Sequence, residues 1–196
     1  QFGINPPHNN SGLDHVDVGK RLDIFDLEQS AKIIGSKWIY LKHNGAILEN
    51  ALVQYTLQKL IQKKFQLIFP PDVADIAMVT ACGYNPRESG AETLLYQLER
   101  SELVLAATSE ILLAGLHAGS RLPVDKLPIR YAAMSHCFRP EVGHYGKSSR
   151  GLYRIHQFTK VEMFAYSAAV QSEDILNEFV GIQKEIVSEL GLHGRV

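Results

Sequence analysis

The stretch FRPEVGHYGKSSRGLYRIHQFTKVE, Phe138 to Glu162, decides the reading of this chain. A strand-like run, LPIRYAAMSHCF, ends into Arg139 and Glu141. A loop rich in Gly, Ser and basic residues follows. A second strand-like run, LYRIHQFTKVEMFAY, then carries Arg154, Phe158 and Glu162. Side chains alternate between the two faces of a strand. In the second run Tyr153, Ile155, Gln157, Thr159, Val161, Met163 and Ala165 share one face, mostly apolar or β-branched, which suits packing on helices. Arg154, His156, Phe158, Lys160, Glu162 and Phe164 share the other. In the first run Tyr131, Ala133, Ser135, Cys137, Arg139 and Glu141 also lie on one face. If the two runs pair, guanidinium groups, carboxylates and an aromatic ring line one surface of a hairpin. A solvated sheet face would also carry charges. Phe158 among those charges is a poor choice for solubility but a good platform for stacking a base. Arg with carboxylates and a ring suits a nucleotide: guanidinium for phosphate, ring for purine, carboxylate for an amino group.

The rest of the chain predicts helices packed on that hairpin. LDIFDLEQSAKIIG predicts a short helix stopped by Gly35, and KWIYLK a strand. AILENALVQYTLQKLIQKK has apolar residues at helical spacing. FQLIF predicts a strand stopped by Pro70 and Pro71. DVADIAMVTACG predicts a helix capped by Asp72. YNPRESGAE reads as a loop, and ELVLAATSEILLAGLHAG turns from strand into helix. SEDILNEFVGIQKEIVSELG predicts an amphipathic helix ending at Gly191. Neighbouring strands with no helix between them predict an antiparallel β-sheet flanked by helices, an α+β layout. Residues 1–14 read as a polar, turn-rich N-terminal segment and 15–196 as one domain.

Composition narrows the function. The chain has 196 residues and a formal net charge of −1, so no global basic field points to nucleic acid or an anionic membrane. No run of about 18 apolar residues predicts a spanning helix. Cys82 and Cys137 form no CxxC pair and read as free thiols. His8, His15, His43, His117, His136, His144 and His193 show no ligand spacing, so no protein-held metal is expected. The chain lacks an initiator Met and ends without a recognisable cap, and reads as an internal stretch of a longer protein.

The opening stretch resembles motif 2 of the class II aminoacyl-tRNA synthetases, in the form found in seryl-tRNA synthetases. The resemblance rests on FRPE, on RGLYRIHQFTKVE, and on TSE, Thr108 to Glu110, which is similar to the family's T-x-E serine-binding loop. NALVQYTLQKLIQKKFQLIFPPDV resembles motif 1, a helix and strand that form a dimer interface. The resemblance runs from about His15 to the C-terminal end. It implies a class II catalytic-domain fold, C-terminally incomplete, because motif 3 follows in the family and Val196 comes before it. It implies a serine–tRNA ligase with ATP and Mg2+, acting on serine, ATP and tRNA(Ser), as a homodimer joined through the motif 1 helix. It assigns Arg139 the catalytic role, holding the ATP α-phosphate and the substrate carboxylate. Thr108, Ser109, Glu110, Arg139 and Glu162 bind serine. Arg139, Pro140, Glu141, Ile155, His156, Gln157 and Phe158 bind ATP, with Glu141 accepting from the adenine amino group and Phe158 stacking on the ring.

Each assignment has a plainer counterpart. Thr108 and Glu110 could simply start a helix. His156 could serve packing rather than chemistry. Lys147, Arg150 and Lys160 could be solvated or could meet phosphates, and Gly143 and Gly146 would let the loop bend. At the level of the whole protein, the alternative is a catalytically inactive synthetase-like paralogue acting as a binding or structural protein. Another class II enzyme, activating threonine or proline, is a further alternative, as is an amide ligase using an adenylate. GLYRIHQFTKVEMF and LGLHGRV look more similar to mitochondrial members, which implies a mitochondrial matrix location, with the cytoplasm as the alternative.

Overall fold

The structure is a computed structural model. It describes residues 1–3, 12–84, 95–141 and 151–196. The expected loop YNPRESGAE lies, apart from Tyr84, outside the described residues. Gly143, His144, Gly146, Lys147, Arg150 and His8 also lie outside them.

The chain opens with α1 (His15–Arg21), whose N-terminus is held by Asp14. The Asp14 carboxylate accepts from the amides of Val16 and Asp17, and Asp17 reaches back to the Asp14 amide, a reciprocal cap. No pattern in the sequence announced this helix. The stretch predicted as one helix from Leu22 to Gly35 divides instead. Phe25–Asp26 form β1, and α2 (Glu28–Ile33) is shorter than expected. The reason is tertiary: β1 pairs antiparallel with β2 (Tyr40–Leu41), matching Phe25 with Leu41.

The helix α3 (His43–Gln62) and β3 (Gln66–Ile68) follow as expected. The next stretch corrects a prediction. DVADIAMVTACG is not one helix capped by Asp72. Val73–Asp75 form β4, and α4 (Ile76–Ala81) starts after it with Asp75 as its cap, accepting from the Ala77 amide at 2.7 Å. Asp72 is engaged elsewhere, where its carboxylate bonds the amide and Nδ1 of His136. Strand β5 (Leu103–Leu105) pairs antiparallel with β4, and α5 (Ser109–Gly115) follows it.

Two ten-residue strands form the centre, β6 (Ile129–Phe138) and β7 (Gln157–Tyr166). The predicted strand from Leu152 begins only at Gln157, because Gly151–Tyr153 turn as a 3₁₀ helix. Gly151 has φ +64°, and a Cβ there would lie 2.3 Å from His15 Nε2. Only glycine fits that turn against α1. β6 and β7 pair antiparallel from Ile129↔Tyr166 to Phe138↔Gln157. β3 joins the other edge of β6 in parallel, Leu67 opposite Ala132. The long excursion through β4, β5 and α5 gives the chain length that a parallel return needs. The chain closes with α6 (Ser172–Glu189), which ends before the predicted stop at Gly191.

The two faces of the hairpin separate as alternation predicts. Ala132, Val161 and Met163 pack with Leu60 and Phe65 from the α3–β3 corner and with Phe179, Ile182 and Ile186 of α6. Lys59 ties the two helices further by bonding Glu185 and Glu189 at 2.8 and 2.6 Å, and Lys63 bonds Glu185 at 2.7 Å. On the other face Tyr131, Ala133, Phe164 and Tyr166 pack against Leu113 of α5. The Tyr166 hydroxyl reaches the carbonyls at the end of that helix, Leu113 at 2.5 Å and Ala114 at 2.9 Å. Among the described residues no helix is long and apolar enough to cross a membrane.

Leu60 is 1% exposed and joins α3 to the sheet and to α6. We expect Leu60→Ala to lower unfolding free energy by about 2–5 kcal/mol, the range for a large-to-small change in a packed core. Urea unfolding followed by circular dichroism measures it. A loss under about 1 kcal/mol would show that this layer can collapse around the cavity.

Candidate active site

The β6–β7 register sets the site. Cys137 lies opposite Phe158, Ser135 opposite Lys160 and Ala133 opposite Glu162. The residues on β6 are small and buried, so the longer side chains of β7 stand over them. The short β5 end then closes the surface. The Ala106 carbonyl accepts from the Phe138 amide at 2.9 Å, which brings Ala107 and Thr108 alongside Arg139.

Glu162 is the hub of one group of the residues singled out from sequence. Its Oε2 accepts from Ser109 Oγ at 2.6 Å, Lys160 Nζ at 2.8 Å and Thr108 Oγ1 at 3.1 Å. All three bonds go to Oε2, so Oε1 takes no part in them. The Thr108 hydroxyl uses its full capacity, one donor and two acceptor lone pairs. It donates to Glu162, and it accepts from Lys160 Nζ at 2.5 Å and from the Glu110 amide at 3.2 Å. The helix-start reading of Thr108 is therefore realised, and the same hydroxyl that caps α5 also braces Glu162. Thr108 and Ser109 are buried, whereas Glu110 is exposed in the first turn of α5. Lys160, read from sequence as solvated or phosphate-binding, is instead a partner of Glu162 and Thr108. Burial pushes the Glu162 carboxyl up. The Lys160 ammonium, then Ser109 and Thr108, outweigh it and hold the carboxyl below its ordinary value.

A second group lines a cleft of about 440 Å³, formed by Arg139, Glu141, Leu152, Tyr153, Arg154, Ile155 and Phe158. The Arg139 guanidinium carbon lies 5.1 Å from the Phe158 ring centroid, and its Nε donates to the Ala107 carbonyl at 3.3 Å. Cation–π contact of this kind holds a guanidinium over a ring without using all its donors. Pro140 lies between Arg139 and Glu141 at the turn out of β6. Glu141 has φ +52°, an uncommon conformation for a residue with a Cβ. Its carboxylate accepts from Arg154 Nη1 at 2.5 Å, and its carbonyl from Lys37 Nζ at 3.2 Å. Gln157, opposite Phe138, points to the other side of the sheet, with Trp38, Glu49 and Thr159 around it. The ring of His156 meets Tyr96 and Trp38 instead of lining the cleft.

Several contributors were not foreseen from sequence. Lys37 and Trp38 arrive from a short connection before β2. His15 of α1 accepts the Leu152 amide at 3.0 Å and packs against Tyr153, the rings tilted by 52° with centroids 4.3 Å apart. Tyr84 lies within electrostatic reach of Glu110, Arg139 and Glu162; burial first, and then Glu110, push its phenol up. No local pattern marks these residues, since each acts across a long sequence separation.

The arrangement can hold a planar base against Phe158, an anion at Arg139 and a cation at the Oε1 side of Glu162. Comparison with known proteins gives the same direction. The model of the class II tRNA synthetase core domain (G, H, P, S and T) matches residues 95–196. The chain is 42% identical over 196 residues to the serine–tRNA ligase of Borrelia garinii subsp. bavariensis, covering 100% of this chain and 45% of that protein. It is 43% identical over 194 residues to the serine–tRNA ligase of Treponema pallidum, covering 99% of this chain and 45% of that protein. Among solved structures, the seryl-tRNA synthetase of Pyrococcus horikoshii complexed with ATP superimposes with a TM-score of 0.81 at 34% identity, covering 90% of this chain and 39% of that one. The cytoplasmic serine–tRNA ligase of Naegleria fowleri in complex with AMP gives a TM-score of 0.82 at 27% identity, covering 97% and 44%. The chain thus spans under half the length of the relatives it matches.

The depressed Glu162 carboxyl has a stability consequence. A carboxyl whose folded pKa is below its unfolded value, about 4.3, stabilises the fold above that pH, and the contribution is lost as pH falls through the folded value. We expect the melting midpoint of the wild-type chain to fall more steeply than that of Glu162→Gln on acidification below about pH 5. Thermal melts at a series of pH values test this, and parallel acid limbs would contradict it.

Proposed function

The chain belongs to the class II tRNA synthetase core-domain family, and we propose that its parent protein is a serine–tRNA ligase. It joins serine to ATP as seryl-adenylate and then transfers serine to tRNA(Ser). One observation carries the reading: Glu162 is held ionised by Thr108, Ser109 and Lys160, with Oε1 outside that set, on the same strand face as Phe158, whose ring the Arg139 guanidinium covers. We read this geometry as an ammonium-binding carboxylate further along the strand from a base-stacking ring, with a guanidinium over that ring.

In the proposed first step a serine carboxylate oxygen attacks the α-phosphorus of ATP. The new O–P bond forms as the bond to the β-phosphate oxygen breaks, and pyrophosphate leaves. Arg139 binds the α-phosphate and the serine carboxylate, whose charges rearrange in the transition state. Glu162 binds the serine ammonium, with Thr108, Ser109 and Glu110 around it. Phe158 stacks on adenine, Glu141 accepts from its amino group, and the Ile155–Gln157 backbone runs beside it. The protein supplies positioning and electrostatics, with no nucleophile of its own. Mg2+ enters as part of the ATP substrate.

The inactive-paralogue alternative is the weaker reading, since identity to serine–tRNA ligases is 42% across the whole chain. Homodimerisation through α3 is part of the proposal. Ile47, Leu48, Leu52 and Ile61 on that helix and Leu67 and Phe69 beside it are exposed large apolar residues. Two-fold pairing is the commonest way to cover such a surface. We also propose a mitochondrial matrix location, on sequence resemblance alone. The relatives from Borrelia and Treponema are bacterial and favour the cytoplasmic alternative. Imaging of the tagged full-length protein decides between them, and a purely cytosolic signal would remove the mitochondrial proposal.

For the full-length parent we expect pyrophosphate exchange that depends on serine and on no other common amino acid. Arg139→Ala should lower its rate by roughly 10²–10³-fold, as loss of a comparable transition-state donor does. Preference for threonine or proline would overturn the serine assignment, and exchange unaffected by Arg139→Ala would overturn the nucleotide-site assignment.

Sedimentation of the full-length protein at micromolar concentration should give a dimer, and Leu48→Glu with Leu52→Glu should shift it towards monomer. A wild-type monomer would contradict the assembly.

A further inference from the structure

One position beyond the last paired residues, Phe138 and Gln157, the β6–β7 ladder is half made. The Arg139 amide donates to the His156 carbonyl at 2.9 Å. In a hydrogen-bonded antiparallel pair the opposite residue returns a second bond, amide to carbonyl. Here the His156 amide turns away and donates to the Lys37 carbonyl at 2.9 Å. The Arg139 carbonyl is met instead by the imidazole of His156, Nδ1 to O at 3.0 Å. Two further groups fix that ring. Tyr96 Oη lies 2.8 Å from the same Nδ1, and the Trp38 ring packs on it with centroids 5.3 Å apart.

The position of the imidazole proton follows from these neighbours. A bare Nδ1 would turn its lone pair towards a carbonyl oxygen 3.0 Å away, leaving two acceptors face to face. A proton on Nδ1 removes that repulsion and is shared between the Arg139 carbonyl and Tyr96 Oη as a three-centre bond. The Tyr96 phenol keeps its own proton, because burial first and the Glu141 carboxylate second push its pKa up.

We propose that His156, supported by Tyr96, is a positioning residue for the adenylation chemistry, an inference that rests on the serine–tRNA ligase reading. Its Nδ1–H replaces the missing ladder bond and fixes the Arg139 backbone as the chain leaves β6. From that fixed backbone the Arg139 side chain reaches over Phe158 and against the Ala107 carbonyl, so a shift of the backbone would carry the guanidinium with it. The ring does not touch the reactants. It acts where the amide of His156 cannot, because that amide anchors the Lys37–Trp38 connection to the same point.

The test uses the full-length parent. His156→Asn places an amide N–H where Nδ1–H stands, His156→Gln displaces it by one bond, and His156→Ala removes it. We expect Ala and Gln to lower kcat for serine-dependent pyrophosphate exchange about tenfold or more, and Asn to recover to within about threefold of wild type, since small misplacements of a catalytic group carry losses of this order. The pH profiles of wild type and Asn should coincide between about pH 5 and 8, because the neutral Nδ1–H tautomer and the imidazolium both carry the donor. An Ala variant with wild-type kcat, an Asn variant as poor as Ala, or a pH limb that Asn removes would each overturn the positioning role.

A second measurement does not depend on activity or on folding of the variants. Imidazole ¹⁵N NMR of the wild-type protein should find the proton on Nδ1 of His156. A bare Nδ1 would overturn the proposal. Absence of exchange in the wild type with Nδ1 protonated would instead overturn the serine–tRNA ligase reading.

Discussion

Everything in the candidate site depends on the register between β6 and β7. A one-residue slip would turn Phe158, Lys160 and Glu162 to the helix side and bring Val161 and Met163 to the open side. The packing forbids that. Ala132, Val161 and Met163 are locked against Leu60, Phe65 and Ile182, while Tyr131 and Phe164 are locked against Leu113. Each face has its own apolar partner, so the hairpin is fixed from both sides. The small residues Ala133, Ser135 and Cys137 on β6 then leave space for the working side chains opposite them.

Within that frame structural and chemical roles fall on the same atoms. The Thr108 hydroxyl caps α5 and braces Glu162. The Arg154 side chain holds Glu141, whose backbone takes a left-handed conformation where β6 ends. Residues in such conformations persist only when their surroundings over-determine them. Here Arg154 holds the side chain and Lys37 the carbonyl. Charged groups are kept in place by neighbours that are themselves anchored, which is what a site relying on electrostatic preorganisation requires.

Much of this was legible in the sequence. Alternation in LPIRYAAMSHCF and LYRIHQFTKVEMFAY marked the two strands and assigned their faces, because period-two patterning is local, although the second strand begins only at Gln157. The spacing in α3 and α6 was equally local. What stayed hidden depends on distant partners. FQLIFPP carried no sign that β3 would join β6 in parallel. Phe25 and Asp26 look helical until Tyr40 and Leu41 pair with them. Asp72 and Asp75 are equally good caps by composition, and only the contact with His136 claims the first for another purpose. Tyr153 and Arg154 fit a strand pattern, but Gly151 and His15 impose a turn there. Lys37, Trp38 and Tyr96 carry no motif at all and reach the site through backbone and ring contacts across the fold.

The most direct test of the account is a crystal structure of the full-length protein with a non-hydrolysable seryl-adenylate analogue. The adenine should stack on Phe158, the phosphate position should contact Arg139, and the seryl ammonium should lie within hydrogen-bond distance of Glu162 Oε1. An analogue bound away from this strand face, or bound there with Glu162 turned away from the ammonium, would contradict it.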